Sequence, residues 1–175
     1  MSVSKTSKPP FQQRKYHAYY FSPIALRPVL AQVPTPITAV AALVDAQPTS
    51  MIAASFIGLS LDPPLVGVSI QDTSTTWPRL READSIGISA LAAEHAGIIR
   101  QLAGPADKRF DGVSWTADGT AVLIDGSTAT FTARLVEEIT TGDHTLAVLE
   151  VLDAASYAEQ TPLVFHNSEF RPAFR

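Results

Sequence analysis

A run of three hydroxyl-bearing residues is the first feature of this sequence whose spacing suits binding chemistry. Ser74, Thr75 and Thr76 directly precede Trp77, where a short helix is predicted to begin. Hydroxyls and unpaired backbone amides at such a position bind phosphate groups, although the same groups also cap ordinary helices. The segment therefore predicts a phosphate site or a helix cap, and the same amides can serve both roles.

Histidine supplies the other side chain able to do chemistry. His144 follows the pair Gly142-Asp143, which predicts a tight turn. A lone histidine that opens a strand is usually structural or exposed, unless a cofactor lies beside it. The four histidines show none of the spacings of metal-binding motifs, so no metal site is predicted. Because cysteine is absent, any redox chemistry has to come from a bound cofactor.

Glycine spacing excludes the common nucleotide-binding loops. The nine glycines are never closer than seven positions, so neither a GxGxxG fingerprint nor a P-loop is present. Residues 58–62 resemble a nucleophile elbow, but Asp62 stands where that strained turn requires a second glycine. A nicotinamide cofactor, if the protein uses one, is therefore not held by a Rossmann unit.

Composition and charge limit the class of protein. The chain has 175 residues, 46% hydrophobic and 17% charged, which suits one folded domain. We assign that domain to residues 23–175 and a basic, aromatic arm to residues 1–22. The net charge of -4 and the lack of a Lys/Arg stripe argue against nucleic acid as a partner. No stretch reaches the roughly 18 apolar residues of a membrane span, so we expect no membrane partner and a soluble, cytoplasmic protein.

Six or seven short strands and two short helices are predicted to position these residues. The clearest strand is residues 129–135, where apolar residues alternate with Thr and Arg as in a half-buried strand. Because the strands do not alternate regularly with helices, the pattern favours a mainly β, closed antiparallel barrel. The predicted strands cover residues 36–44, 49–56, 65–71, 85–91, 129–135, 144–152 and 162–166, and the predicted helices cover residues 75–82 and 92–103.

Four segments, taken in order, resemble the flavin reductase family, whose FMN-binding split β-barrel is antiparallel and Greek-key-like with two or three short helices. Members of that family are the reductase components of two-component flavin-dependent monooxygenases. The resemblance runs from about residue 35 to the C-terminus. Its segments are AASF at 53–56 with LSLDPPLV at 59–66, TSTTW at 73–77, GDHT at 142–145 and PLVFH at 162–166.

The resemblance implies a bound FMN or FAD, with NADH or NADPH as the co-substrate. It places the strand around Ser55 along the flavin ring, and His144 beside the ring face where the nicotinamide docks. Ala54 departs from the Asn or Ser often found there in the family, so contacts at that position must come from the main chain. For Phe56 and Trp77, a position in the hydrophobic core is the alternative to contact with the cofactor. The implied cofactor-binding residues are Thr35, Ala53, Ala54, Ser55, Phe56, Ser60, Gln71, Ser74, Thr75, Thr76, Trp77, Phe165 and His166.

The resemblance also implies partners and leaves alternatives open. A homodimer is expected to complete the groove, and a monooxygenase is expected to receive the reduced flavin. The main alternative is a non-enzymatic flavin-binding module on the same barrel. A pyridoxine phosphate oxidase type of enzyme needs several basic residues around two phosphates, and the relevant segments offer chiefly Arg79 and Arg81.

Overall fold

The computed structural model describes residues 23–173, so the predicted arm at residues 1–22 lies outside the described residues. The described fold is mainly β with three short α-helices, as predicted: α1 (Pro23–Leu30), α2 (Trp77–Leu80) and α3 (Ile99–Leu102). Two 3-10 helices, Ala93–Gly97 and Ala106–Lys108, flank α3. The strands are β1 (Thr35–Pro36), β2 (Thr38–Val44), β3 (Gln47–Ala53), β4 (Ile57–Leu61), β5 (Pro64–Gln71), β6 (Ile86–Ala90), β7 (Trp115–Asp118), β8 (Ala121–Ile124), β9 (Ala129–Thr140), β10 (His144–Ser156), β11 (Leu163–His166) and β12 (Glu169–Pro172).

The strands form one large and one small antiparallel sheet. The large sheet runs β4-β5-β10-β9-β6-β2-β8-β7, and β3 pairs with β2 off this path. The small sheet has the order β1-β11-β12. Within residues 23–173 no backbone ladder joins β3 to β5, so the prediction of a fully closed barrel is wrong. The Ser55 hydroxyl, which bonds to the backbone of Ser69, spans that opening instead.

The strands predicted at residues 36–44 and 49–56 pair as a hairpin, and the loop between them is shorter than the predicted gap of residues 45–48. β2 pairs with β3 from Thr38↔Ala53 to Val44↔Gln47. Asp45 and Ala46 form the whole loop, and both have positive φ, 52° and 60°. Two residues of positive φ give a turn whose twist matches that of the flanking strands. Gln47 therefore belongs to β3 rather than to the turn.

The strand predicted at residues 129–135 exists, but its polar face is buried at Thr130 and Thr132 and exposed at Arg134. β9 extends to Thr140 because it pairs with β10 along most of its length. Thr130 and Thr132, expected on the solvent face, are only 7% and 6% exposed. The Thr132 hydroxyl donates a hydrogen bond to Asp118 Oδ2 at 2.7 Å, which satisfies its polar atom in the interior.

Two apolar clusters hold the elements together. The larger cluster packs side chains of β2, β5, β6 and β10 around Trp77 and Leu80 of α2, so this short helix is fixed by burial rather than by its own length. The smaller cluster joins α3 to Leu163 of β11. The helix predicted at residues 92–103 is present as two pieces, one 3-10 and one α.

Four strands of the described chain were not predicted: β4, β7, β8 and β12. β7 and β8 form a hairpin between the predicted helix at residues 92–103 and the predicted strand at residues 129–135. β12 follows β11, so the strand at residues 162–166 is not the last one. Among residues 23–173, no helix is long and apolar enough to cross a membrane.

Candidate functional site

A groove of about 580 Å³ lies where the ends of β3 and β5 meet the start of β10 and the loop before α2. It brings together most of the residues predicted to bind the cofactor and the one predicted to be catalytic. No Asp or Glu side chain lines it, so the groove carries no negative charge of its own. Its lining residues are Met51, Ile52, Ala53, Ala54, Ser55, Ser69, Ile70, Gln71, Thr73, Ser74, Thr75, Thr76, Ala103, Arg109 and His144.

The end of β3 forms one wall of the groove. Ala53 is buried, while Ala54 and Ser55 are half-buried beside the groove. The Ser55 hydroxyl donates to Ser69 O at 2.8 Å and accepts from Ser69 N–H at 3.0 Å. Its only proton is thus engaged inside the protein, so Ser55 is left with main-chain groups and one lone pair for a ligand.

The loop before α2 forms the polar end of the groove. Thr76 is the N-cap residue of α2, one of the two positions predicted for it, but it has helical angles and its side chain makes no capping hydrogen bond. The Ser74 hydroxyl fills that role by accepting from the Trp77 amide at 3.2 Å. Within the described part of the chain, the backbone amides of Thr75 and Thr76 donate no hydrogen bond. They are free for a ligand.

The pairing of β5 with β10 places this loop beside the turn that precedes His144. Gln71 and His144 are the outermost pair of that ladder. Beyond it, the Asp72 amide donates to Asp143 O at 3.1 Å, and the Thr145 hydroxyl donates to Asp72 Oδ1 at 2.9 Å. Three contacts therefore fix the distance between His144 and the loop of Ser74, Thr75 and Thr76, which we call the hydroxyl loop.

His144 is held by its neighbour in the turn. Its side chain is 40% exposed and its Nδ1 lies 2.8 Å from Asp143 Oδ1. Because a carboxylate only accepts, the proton of a neutral ring belongs on Nδ1, which leaves Nε2 as an acceptor. The hydrogen bond from His144, followed by the Asp143 backbone and the charge of His144, holds the pKa of Asp143 below its usual value.

Arg109 is the basic lining residue that sequence reasoning missed. Its Nε donates to Gly104 O at 2.8 Å, and its Nη1 donates to Ser50 O at 2.6 Å and to Thr76 Oγ1 at 3.2 Å. Burial, and after it the charge of Arg79, lowers the pKa of the Arg109 guanidinium. Arg109 lies in a segment expected to be a loop, far along the chain from Thr76, and no local pattern marks it.

Three predicted cofactor residues lie away from the groove on or beside the large sheet. Phe56 packs against the larger cluster with its ring centroid 5.2 Å from that of Phe131, so the structure favours its core interpretation. Trp77 is 5% exposed and donates from Nε1 to Glu138 Oε1 at 2.8 Å, which also makes it a core residue. Ser60 lies on the edge strand β4.

The remaining three lie in the small sheet. Thr35 pairs with Phe165, and His166 pairs with Glu169 across the last hairpin. Phe165 packs on the smaller cluster and against Phe170, with ring centroids 5.3 Å apart. The structure does not bring Thr35, Phe165 or His166 to the groove, and their role in binding a cofactor stays a prediction.

Comparison with known proteins finds relatives that are named as flavin reductases or as reductase subunits of monooxygenases. The chain is 33% identical over 147 residues to the FMN reductase (NADH) SmoA of Agrobacterium fabrum, a match covering 83% of each chain. It is 29% identical over 150 residues to the reductase subunit HsaB of a flavin-dependent monooxygenase of Rhodococcus jostii, covering 85% of this chain and 76% of HsaB.

A solved structure and a family model also match this chain, and both are of flavin reductases. The NADH:FAD oxidoreductase SgcE6 of Streptomyces globisporus, in complex with NAD and FAD fragments, superposes with a TM-score of 0.79 at 29% identity. That match covers 88% of this chain and 96% of SgcE6. The model of the flavin reductase like domain matches residues 30–173. The chain therefore belongs to the flavin reductase family.

Proposed function

We propose that this protein is an NAD(P)H-dependent flavin reductase that reduces FMN or FAD and supplies the reduced flavin to a partner monooxygenase. One observation carries the proposal: the end of β3, the loop with Ser74, Thr75 and Thr76, and His144 converge in a single groove. The similarity to NADH-dependent FMN and FAD reductases supports the same activity.

The donor set of the groove fits a phosphorylated flavin. Its volume of about 580 Å³ lies within the range of small-molecule sites. The amides of Thr75 and Thr76 are free to bind a phosphate, and Met51, Ile52, Ala53 and Ala54 of the β3 segment line the strand wall. This arrangement provides a polar end for the phosphate and a strand wall without charged side chains for the ring.

The protein contributes position more than acid–base chemistry. Bound flavin supplies the hydride acceptor, and NADH or NADPH is the donor. Hydride transfer requires the reacting atoms to approach to roughly 3 to 3.5 Å, so orientation dominates the rate. Nε2 of His144, free as an acceptor because Nδ1 is held by Asp143, bonds the carboxamide amino group of the nicotinamide. The Gln71–His144 pairing keeps that contact in register with the phosphate loop.

The groove is open enough to release its product. Gln71, Thr73 and Thr75 are exposed, and His144 is partly exposed. A flavin held there keeps contact with solvent and binds as a substrate rather than as a permanently enclosed group. Release suits delivery to a monooxygenase, and HsaB is named as the reductase subunit of a flavin-dependent monooxygenase. A cytoplasmic location remains a prediction from the sequence.

A homodimer is part of the proposal, and an apolar face beside the groove supports it. Paired residues of adjacent strands share one face of a sheet. The row Ser69–Leu146–Ile139 therefore leads directly from the groove outward, and Ile139 is 41% exposed. Ile57 and Leu59 of edge strand β4 continue this face around Gly67 and are 48% and 41% exposed. A second copy covering this face extends the groove wall.

Turnover in a simple mixture tests the function. Purified protein is mixed with NADH or NADPH and catalytic FMN or FAD, and the loss of reduced nicotinamide is followed by absorbance. Flavin-dependent loss is expected. Tight flavin retention without turnover would instead support the non-enzymatic flavin-binding module, and failure to bind any flavin would remove both.

A further inference from the structure

Arg109 carries a charge that nothing in the described protein neutralises. Each ion pair within residues 23–173 involves other residues, so no carboxylate lies within ion-pair distance of this guanidinium. The charge that acts on the pKa of Arg109, after its burial, is that of Arg79, which has the same sign. Partly buried charges are normally paired, so a half-buried cation beside another cation indicates an anion that binds there.

The guanidinium is fixed before any ligand arrives. Gly104 O, Ser50 O and the Thr76 hydroxyl hold its Nε and Nη1, while Nη2 has no partner among the described residues. A planar guanidinium with its side chain already ordered loses little conformational entropy on binding. The free Nη2 group is therefore a preorganised donor on a residue that lines the groove.

The same end of the groove contains further free donors. The hydrogen bond from Arg109 to Thr76 places the guanidinium directly at the loop whose Thr75 and Thr76 amides are free. Charged and neutral N–H donors, with no Asp or Glu among the lining residues, favour a phosphate oxygen over a neutral group. Both a flavin phosphate and the pyrophosphate of a nicotinamide dinucleotide have this chemistry.

We propose that Arg109 binds the 5′-phosphate of the flavin and makes the enzyme select FMN and FAD over riboflavin. This inference rests on the proposed function. The flavin is favoured over the dinucleotide because Arg109 bonds to Ser50 of β3, the strand whose end is the predicted ring wall, whereas His144 is the residue predicted to lie at the nicotinamide. Arg109 then acts as a specificity-determining residue and takes no part in hydride transfer.

The test compares two flavins that differ only in the phosphate. Steady-state KM values for FMN and riboflavin are measured with NADH for the wild type and for Arg109→Gln. In Arg109→Gln the ratio of KM for FMN to KM for riboflavin should rise roughly tenfold to a hundredfold. The loss of one hydrogen bond from a charged donor corresponds to a change of this size. Arg109→Lys, which keeps the charge but not the planar fork, should give an intermediate ratio.

Arg79→Gln is the matched control. Arg79 is the cation whose charge acts on Arg109, but its side chain is 46% exposed and its Nη2 lies 3.7 Å from Asp45 Oδ2. Its removal should change the FMN-to-riboflavin ratio less than about threefold, because an exposed charge acts weakly through solvent. A change as large as that of Arg109→Gln would mean that general positive charge, and not Arg109 itself, selects the phosphate.

Three outcomes would overturn the proposal. Equal KM changes for FMN and riboflavin would make Arg109 a purely structural residue, and a KM rise for NADH but not for FMN would assign the arginine to the dinucleotide. If Arg109→Gln fails to fold, the wild-type enzyme still tests the proposal. Inorganic phosphate should then compete with FMN but not with riboflavin. Equal inhibition of the reduction of both flavins would contradict the proposal. Wild-type protein that reduces neither flavin would refute the proposed function instead.

Discussion

Gln71 and His144 face each other as the last residue of β5 and the first residue of β10. Each strand leaves the sheet at this pair, one into the hydroxyl loop and the other into the Gly142-Asp143 turn. The two segments are then joined again by Asp72, which bonds to Asp143 and Thr145. A backbone ladder, rather than loop packing, therefore sets the spacing between the polar end of the groove and the histidine.

Replacing His144 with Ala should impair use of the nicotinamide more than binding of the flavin. The imidazole Nε2 is the proposed acceptor for the carboxamide, and its loss leaves the nicotinamide poorly oriented. We expect kcat/KM for NADH to fall by about tenfold to a hundredfold, with the FMN dissociation constant changing less than about threefold. Stopped-flow reduction and flavin fluorescence titration measure the two quantities. Equal losses in both would make His144 a flavin ligand or a structural residue.

The titration of Asp143 reports the state of the same pair. The hydrogen bond from His144 lowers its pKa below the usual 3.8. A carboxyl group with a lowered pKa in the folded protein favours folding above its ordinary pKa, and this contribution is lost as the pH falls through the lowered value. The carboxyl carbon shift of Asp143, followed by NMR, should therefore reach its midpoint below pH 3.8. In His144→Ala the midpoint should return toward the ordinary value, and an unchanged midpoint would mean that the backbone alone lowers it.

Much of this site could be predicted from the sequence because its parts are local patterns. Ser74, Thr75 and Thr76 are adjacent in the sequence, and His144 directly follows the turn-forming pair Gly142-Asp143. Arg109 is held at the groove by Ser50 O and Gly104 O, which are backbone groups with no signature in residue types, and by the Thr76 hydroxyl. Its role depends on tertiary packing, which residue spacing does not encode.

The missed strands have different physical causes. The β7–β8 hairpin had a signal, since Asp118 precedes Gly119, whose φ of +59° suits a tight turn. The turn before β12 is made by Asn167 and Ser168 with φ of 51° and 64°, although serine rarely adopts such angles. Closure of the barrel was beyond prediction, because whether β3 and β5 share a ladder depends on their separation in space rather than on their own residues.

The apolar face beside the groove should be required for assembly. Ile139→Glu would place a charge in the centre of the proposed dimer contact, which costs about 2 kcal/mol or more and weakens the dimer about thirtyfold or more. Light scattering over a dilution series should show a shift toward monomer. Leu152→Glu, at an exposed residue further along β10, is the control and should leave the dimer intact. A variant Ile139→Glu that stays dimeric at every concentration would place the interface elsewhere.

Gly87 should be the least replaceable glycine of the fold. A Cβ built there would lie 2.1 Å from Val122 O and 2.6 Å from Val122 C, because β6 passes directly against the backbone of β8. Backbone atoms cannot rotate away as a side chain can, so Gly87→Ala should lower the free energy of unfolding by about 3 kcal/mol or more. Gly58→Ala is the matched control, since nothing lies within 4 Å of its Cβ position on the edge strand, and its effect should stay within about 0.5 kcal/mol. Urea denaturation of both variants gives the comparison, and similar stabilities would show that β6 and β8 can separate without cost.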